Sequence, residues 1–389
     1  MRKKLPLLKS SALILAFGIN SLSAQMVDGH AYMIGHYVEI GVNANGHEGA
    51  PLLPSSHNRS NLTDDAPVYF GFVANPQEDD WTVYNGDFFT TGASENGFGL
   101  EFTVLGENYT FSNNAWALNE IEGEITDFSE TDDVVITTWV GTVMDLELTV
   151  KYVLKKEAHY YTTSIMIDNI GDETYTDVYY YRNLDPDNNV SIGGGYVTTN
   201  TIVSQSGMDD DSSIVSATQE MPWLSEVTFN AYGDDWKCFF GGFSNRDASD
   251  MWDGIGFVTI DEEETTTTDE AIGLVHKIET LPPGRASSEW ASFATSFKKG
   301  IDFSDEGTSQ INENIIDFKL YPNPTNTDII NLDLTGSFSY SIADAKGSII
   351  AEGSGNNKKV IDLSKVENGV YFITITQDGS LRTEKFIVR

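Results

Sequence analysis

The stretch "RNLDPDNNVSIGGG" places Asp185, Asp187 and Asn189 at alternating positions. Three side-chain oxygens at this spacing can face one hard cation, and calcium accepts a shell made of oxygen atoms alone. The stretch departs from the helix-flanked calcium loop, because Val190 occupies the glycine position and no Glu follows at the twelfth position. The sequence therefore predicts a calcium site in a loop of another kind. The alternative is a polar turn whose Asp and Asn side chains bond their own backbone.

The tryptophans are the second group that can bind a ligand, because an exposed indole offers an apolar face on which a sugar ring can stack. Trp81 and Trp252 lie beside acidic residues in turn-like segments, "EDDWTVYNGDFFTTG" and "RDASDMWDGIG". We interpret these two as the candidate ligand-binding surface. Most of the seven tryptophans are interpreted as core, because a large sandwich needs large side chains to fill it; the other five are Trp116, Trp139, Trp223, Trp236 and Trp290.

No catalytic motif stands out in the sequence. It contains no Gly-x-Ser-x-Gly, no His-Glu-x-x-His and no Gly-rich phosphate loop. Glycoside cleavage would require two carboxylates about 5 to 9.5 Å apart, and the sequence does not single out one pair among its many acids. Cys238, the one cysteine, lies among large apolar residues in "WKCFF" and is interpreted as a buried structural side chain.

The elements that position these residues are predicted to be strands. "DLELTVKYVLKK" alternates, and its apolar side chains share one face: Leu146, Leu148, Val150, Tyr152 and Leu154. With "YYTTSIMIDNIGDE" and "YTDVYYYRNLDPD" it predicts a meander of three antiparallel strands. Further short strands with Gly- and Asn-rich turns predict an all-β fold, a large antiparallel β-sandwich. The acidic segment "DEEETTTTDEA" is predicted to be the tip of a hairpin.

The charge of the chain is concentrated in its middle. The formal net charge is −36, and residues 25–314 hold 50 acidic residues against 11 basic ones. A domain this negative repels nucleic-acid phosphates and anionic lipid head groups, so we expect no nucleic-acid partner. Cations and neutral partners fit better, and the simplest interpretation of the charge is a well-solvated surface.

The start of the chain, "MRKKLPLLKSSALILAFGINSLSAQ", has a basic head, a short apolar run and small residues after it. These are the three parts of a secretory signal peptide, which we assign to residues 1–24. No later run is long enough for a membrane helix, so no transmembrane segment is predicted in the mature chain. The remainder divides into an acidic β-sandwich (25–300), a linker (301–314) and a small C-terminal domain (315–389).

The C-terminal domain carries several motifs in order. They are Tyr321-Pro322-Asn323-Pro324, an Asp-x-x-Gly turn at 344–347, the pair Gly369 and Tyr371, and a basic end with Lys385. This segment resembles the type A C-terminal sorting domain of the type IX secretion system of Bacteroidetes. The resemblance implies a small immunoglobulin-like β-sandwich in which these residues form the sorting signal. It also implies export through the periplasm and outer membrane, followed by removal of the sorting domain and release of the protein or its attachment to surface lipopolysaccharide.

The large domain resembles the supersandwich domains of carbohydrate-active proteins. Three functions remain open from the sequence. The first is a non-catalytic secreted or cell-surface binding or adhesion module, with glycan and calcium as its ligands. The second is an extracellular polysaccharide-active enzyme, a glycoside hydrolase or lyase, and the third is a structural surface-layer protein.

Overall fold

The computed structural model describes residues 24–51, 69–74, 87–88, 95–114, 118–190, 193–207, 211–220, 224–284, 286–297, 318–344, 348–377 and 380–389. These residues form 28 strands and one helix. We call residues 24–297 the passenger and residues 318–389 the tail. The predicted signal peptide, apart from Ala24, and the predicted linker lie outside the described residues.

The strands are numbered in chain order. The first are β1 (Gln25–Val27), β2 (His30–Ile34), β3 (Val38–Val42), β4 (Ala50–Pro51), β5 (Tyr69–Phe70), β6 (Phe72–Ala74), β7 (Asn96–Val104), β8 (Glu107–Asn114) and β9 (Leu118–Asn119). Next come β10 (Glu122–Glu130), β11 (Val134–Val143), β12 (Leu146–Lys155), β13 (Tyr160–Asn169), β14 (Tyr175–Leu184), β15 (Thr198–Ser204), β16 (Ser212–Gln219), β17 (Ser225–Tyr232) and β18 (Trp236–Gly241).

Helix α1 (Ala248–Asp253) follows β18. The passenger then continues through β19 (Val258–Thr259), β20 (Thr265–Thr268), β21 (Ile272–Leu281), β22 (Ala286–Ser287) and β23 (Ala291–Ser296). The tail contains β24 (Lys319–Tyr321), β25 (Ile329–Asp344), β26 (Ile349–Asp362), β27 (Gly369–Gln377) and β28 (Ser380–Val388).

Two antiparallel sheets form the body of the passenger. The large sheet has the order β20-β15-β16-β17-β23-β13-β12-β11-β10, and the small sheet has the order β19-β18-β21-β14-β7-β8-β9. A further sheet, β1-β2-β3-β6, belongs to the N-terminal part. One cluster of buried side chains draws on all three sheets, so they share a single hydrophobic core. The structure therefore confirms the predicted all-β architecture built on large antiparallel sheets.

The alternation read from the sequence is confirmed in β12. Its five apolar side chains, from Leu146 to Leu154, are all buried, while Lys151 and Lys155 between and beyond them are partly exposed. The strand pairs with β11 on one side and β13 on the other over nearly its whole length. A period of two in the sequence thus places one face of a central strand in the core.

The predicted three-stranded meander is wrong at its third strand. β12 and β13 pair, but β14 crosses to the small sheet, where it lies between β7 and β21. The cause is that β14 is buried on both faces. Tyr180 contributes to the main core, whereas Tyr179 and Tyr181 pack on the outer face with Phe239 of β18 and Met251 of α1. Such a strand fits the centre of a sheet that is covered on both sides.

Two local predictions also need correction. The segment predicted to be only a hairpin tip contains an edge strand, because β20 pairs with β15 from Thr265 to Thr268. The segment predicted to be turn-like around Trp252 contains α1, which buries Ala248 and Met251 and ends at Gly254 in the left-handed region, at φ 67°. Glycine adopts that conformation without the steric cost of a β-carbon.

The tail has a core of its own. Its buried side chains form a separate cluster that includes Ile330, Ile342, Ile373 and Phe386. The long strand β25 pairs with β24, β26 and β27, and its register with β26 shifts between Asp333 and Ser337. β27 pairs with β28 along the whole of the terminal hairpin.

A buried ion pair connects the N-terminal part of the passenger to its sheets. The Arg182 guanidinium of β14 lies 2.7 Å from the Glu48 carboxylate, and both side chains are almost completely buried. Arg182 also donates to the Asn96 side-chain oxygen at 2.7 Å and to the Gly97 carbonyl at 3.0 Å, while the Tyr161 hydroxyl donates to Glu48 at 2.6 Å. Because each charge has several partners, the pair can remain ionised inside the core.

Removing one charge of this pair should strongly destabilise the passenger. We expect Glu48→Gln and Arg182→Met each to lower the free energy of unfolding by about 3–5 kcal/mol, since each leaves the other charge buried and uncompensated. The double variant should recover much of that loss. Urea unfolding followed by tryptophan fluorescence measures this in the full chain, because all seven tryptophans lie in the passenger.

The matched control is Lys358→Ala, which removes an ion pair with Asp333 on the surface of the tail. We expect it to leave the fluorescence transition where it is. If both single variants unfold at the urea concentration of the wild type, the ion pair does not hold the passenger together.

Candidate metal centre

The predicted cation loop lies where the chain crosses between the two sheets. β14 of the small sheet ends at Leu184, and β15 of the large sheet begins at Thr198. The return crossing, from β20 to β21, runs alongside, because Thr198 is paired with Thr268 and Leu184 with Ile272. Both crossings therefore occupy the same edge of the sandwich. This arrangement brings Asp269, on the return crossing, to the loop that contains Asp185.

Three carboxylates meet at this edge. One carboxylate oxygen from each of Asp185, Asp187 and Asp269 lies within 4.8 Å of the other two. Calcium–oxygen bonds are about 2.3–2.6 Å long, so two ligands of one calcium ion lie at most about 5 Å apart. Asp185 and Asp187 are buried, and Asp269 is exposed to solvent. The spacing and the chemistry of these oxygens both fit a hard divalent cation.

The carboxylate of Asp187 gives the strongest indication of a ligand. Its side chain is fully buried, and within the described part of the chain neither of its oxygens has a hydrogen-bond partner. The Oδ1 atom of the neighbouring Asn188 is in the same situation, although its Nδ2 donates to the Ala217 carbonyl at 2.9 Å. Burying such oxygens without a partner is costly, and a bound cation removes that cost.

The loop is held in place by its backbone. The amide of Asp185 donates to the Glu95 carbonyl at 2.7 Å, and the amide of Asn189 donates to the Gln219 side chain at 3.0 Å. The amide of Gly194 closes a further bond to the Asn189 carbonyl at 2.7 Å. A β-carbon at Gly194 would lie only 2.6 Å from the β-carbon of Asn189, so this close approach requires glycine. The oxygens are thus positioned before any cation binds.

The electrostatics of the site favour either a proton or a cation. Burial, together with the nearby Asp185 and Asp269, raises the pKa of Asp187 to about 9. Burial also raises the pKa of Asp269, and burial and the Asp269 charge raise the pKa of Glu270. All of these influences disfavour negative charge, so a positive charge placed among the carboxylates is stabilising.

The structure places two of the three predicted metal residues side by side. Carboxylate oxygens of Asp185 and Asp187 lie within 4.8 Å of each other, and Asn189 is buried in the same loop. Metal binding by all three residues stays a prediction. Asp269 was missed, because it lies more than 80 residues along the chain and joins the site only through the pairing of β15 with β20. The acidic residues directly after the threonine run were the one sequence signal for it.

The structure describes one of the two predicted ligand-binding tryptophans. Trp81 lies outside the described residues. Trp252 lies on α1, half-buried, with the Lys237 ammonium 4.6 Å from the centre of its ring and the Tyr179 ring packed nearby. Ligand binding by these two residues stays a prediction. Cys238 is buried, and burial raises the pKa of its thiol, which fits a structural role.

The predicted sorting-signal residues come together in the tail. Asn323, from the Tyr321-Pro322-Asn323-Pro324 motif, donates to the Lys385 carbonyl at 2.8 Å and accepts from the Ile387 amide at 3.1 Å. On β27, which begins at Gly369, the Tyr371 ring packs against Phe386 at a centroid distance of 5.7 Å. The motif at residues 321–324 is therefore hydrogen-bonded, through Asn323, directly to β28, the last strand.

The tail is a member of a known family of export signals. Residues 319–389 match the model of the secretion system C-terminal sorting domain. This confirms the resemblance read from the motifs, so the chain is handled by the type IX secretion machinery and passes through the periplasm to the cell surface or the extracellular space. No helix in the described residues has the length and apolar character needed to cross a bilayer. The comparison with curated proteins gives no match.

Three solved structures that are similar to the chain at low identity are a lyase, a galactosidase and a mutarotase related enzyme. A polysaccharide lyase matches at 8% identity and a TM-score of 0.35, over 86% of this chain and 46% of its own. A GH36 alpha-galactosidase from Geobacillus stearothermophilus matches at 8% identity and 0.38, over 71% of this chain and 41% of its own. A galactose mutarotase related enzyme from Lactobacillus acidophilus matches at 11% identity and a TM-score of 0.28, over 70% of this chain and 98% of its own. The chain spans less than half the length of the first two.

The raised pKa of Asp187 predicts how the cation-free protein responds to pH. In the folded chain Asp187 keeps its proton up to about pH 9, whereas in the unfolded chain it releases it near its ordinary value of 3.8. Its contribution to stability is thus complete below that value and is lost as the pH rises toward 9. In chelator, the melting temperature of Asp187→Asn should gain on the wild type between about pH 5 and pH 9, because the amide cannot ionise.

The control is Asp261→Asn, which removes an exposed acid near β20. Its melting curve should change with pH in parallel with the wild type. A parallel curve for Asp187→Asn as well would show that Asp187 does not hold a proton in the folded chain.

Proposed function

We propose that the passenger is a non-catalytic binding or adhesion module, displayed outside the cell, whose sandwich is fastened by a calcium ion at Asp185, Asp187 and Asp269. The observation that carries this proposal is the Asp187 carboxylate, which is fully buried beside two other carboxylates and has no hydrogen-bond partner in the described residues. Asn189 is the fourth proposed contributor, from the same loop.

The burial of the site supports a structural ion. A metal that takes part in catalysis keeps a coordination position open to water or substrate. Asp185 and Asp187 are buried, and only Asp269 faces solvent. An ion at this position would hold the loop and the return crossing together, with little of its surface open to a substrate.

Such an ion would replace a covalent cross-link. The chain has a single cysteine, so no intrachain disulfide can stabilise it outside the cell. An ion between Asp187 and Asp269 ties the crossing from β14 to β15 to the crossing from β20 to β21. It would therefore fasten the large sheet to the small sheet at the edge where the chain passes twice between them.

Calcium should raise the melting temperature of the full chain. At a free calcium concentration about 100 times the dissociation constant, binding contributes about 2.7 kcal/mol, which corresponds to a shift of roughly 5–10 °C for a domain of this size. Differential scanning calorimetry in chelator and in calcium measures the shift. Asp187→Asn and Asp269→Asn should each remove most of it, because each takes away a charged ligand.

Asp261→Asn again serves as the control, because it removes the same charge from the neighbouring segment without touching the site. It should keep the full calcium shift. Identical melting curves for the wild type in chelator and in calcium would refute the calcium proposal, and a retained shift in Asp269→Asn would exclude the return crossing from the site.

A glycan is the ligand that we propose for the module, with Trp81 and Trp252 as its contacts. On a glycan array, the full chain should bind at least one polysaccharide, and Trp252→Ala should weaken that binding by roughly tenfold, as expected for one lost aromatic contact. Trp290→Ala is the control, because Trp290 is also exposed but is not one of the two predicted ligand contacts.

Each result on the array selects among the open functions. Binding without release of sugar supports the binding module. Release of reducing or unsaturated ends would favour the polysaccharide-active enzyme, and neither binding nor release would favour a structural surface-layer protein.

A further inference from the structure

The last strand of the tail is paired with the passenger. β28 lies antiparallel to β10, with Asp127 opposite Glu384, Phe128 opposite Thr383 and Ser129 opposite Arg382. β28 therefore has β27 on one side and β10 on the other, and the large sheet continues into the sheet of the tail. In the described part of the chain, β10 has no sheet neighbours other than β11 and β28.

The charges of the two strands are complementary. β10, "EGEITDFSE", has four acidic residues and no basic one, whereas β28, "SLRTEKFIV", has two basic residues and one acid. The Arg382 guanidinium lies 2.9 Å from the Asp127 carboxylate, and the Lys385 ammonium forms an ion pair with Glu124. Opposite charges at diagonal positions of two paired strands are within reach of each other and favour that pairing.

One contact between β10 and β28, that of Asp127 with Glu384, opposes the pairing of the two strands. Asp127 and Glu384 face each other directly, and burial raises the pKa of Glu384, with Arg382 acting against the rise and Asp127 adding to it. Arg382 lies next to both acids and also covers the Phe318 ring, at 5.3 Å from its centre. The docking of β28 therefore depends on the basic charge at position 382.

The junction between β10 and β28 has buried side chains and, beside them, an open groove. Phe128, Ser129 and Thr383 are buried at the junction. Beside them, a groove of about 290 Å³ runs between residues 24–29 of the passenger and strands β25 and β27 of the tail. The strand pairing and its ion pairs thus make the junction, and the space next to it is not filled by side chains.

We propose that β10 is a docking edge for a basic strand, and that its partner is the chain's own β28. An unpaired edge strand offers a row of free amides and carbonyls to any strand that fits. The acids of β10 select one that carries Arg and Lys at the positions of Arg382 and Lys385. The tail is accordingly held on the passenger by the strand that also closes its sorting signal, through Asn323 and Lys385.

Charge reversal in the full chain tests this proposal without changing the tail. In Glu124→Lys with Asp127→Lys, backbone amides of β10 and β28 should exchange with deuterium about tenfold faster than in the wild type, as their pairing opens more often. The amides of β12 and β13 should keep their wild-type exchange rates, which shows that the passenger is still folded. Adding Arg382→Glu and Lys385→Glu should restore slow exchange, because the charges are then complementary again.

Lys358→Glu is the matched control, a charge reversal elsewhere on the tail, and should leave exchange in β10 and β28 unchanged. Light scattering at the same protein concentration should give the mass of one chain. Unchanged protection in the passenger double variant, no recovery in the charge-swapped chain, or a dimer whose tails are exchanged between copies would each overturn the proposal.

Discussion

The contact between Arg182 and Glu48 is the constraint on which the passenger depends. A guanidinium and a carboxylate this deeply buried can persist only when their partners are fixed, and those partners come from distant parts of the chain. Glu48 lies between β3 and β4, Arg182 lies near the end of β14, and Tyr161 is on β13 of the opposite sheet. The ion pair therefore spans the core and fixes the small sheet against the large sheet.

The same contact determines where the candidate metal centre lies. Arg182 is paired with Phe98, and two residues later Leu184 is paired with Asn96, so the register of β14 against β7 is set beside the ion pair. The next residue, Asp185, bonds the Glu95 carbonyl and begins the loop of carboxylates. A shift of one residue would reverse the faces of β14 and withdraw Asp187 from its neighbours. The position of the site is thus a consequence of packing several residues away.

Features that depend on residues close together in the sequence could be predicted, whereas features that depend on the pairing of distant strands could not. The alternation of β12 and the ordered motifs of the tail are local patterns, and both predictions are confirmed. Asp185 and Asp187 are also close in sequence and lie side by side in the structure, while their role as metal ligands stays a prediction. The sheet to which β14 belongs was predicted wrongly, because a strand buried on both faces has no alternation that would show which sheet it joins. The proximity of Asp269 to Asp185 and Asp187 was not predicted. It results from the pairing of Thr198 with Thr268, and no local pattern in the sequence encodes that register.

The acidity of the passenger gives its two proposed contacts a common physical basis. With 50 acidic residues against 11 basic ones in residues 25–314, the passenger has few positive charges with which to compensate an acid cluster. Where acids stay exposed, water screens them. Two buried acids, Glu48 and Glu95, are compensated by Arg182 and Arg246 of the passenger itself. At β10 and around Asp187, the compensating charge has to come from elsewhere. On β10 it comes from Arg382 and Lys385 of the tail. Around Asp187, burial and two further acids raise the pKa of the carboxyl group, so a proton or a cation has to supply the positive charge. Since a proton leaves as the pH rises and calcium does not, the proposed calcium ion would compensate the acids over a wider pH range than a proton would.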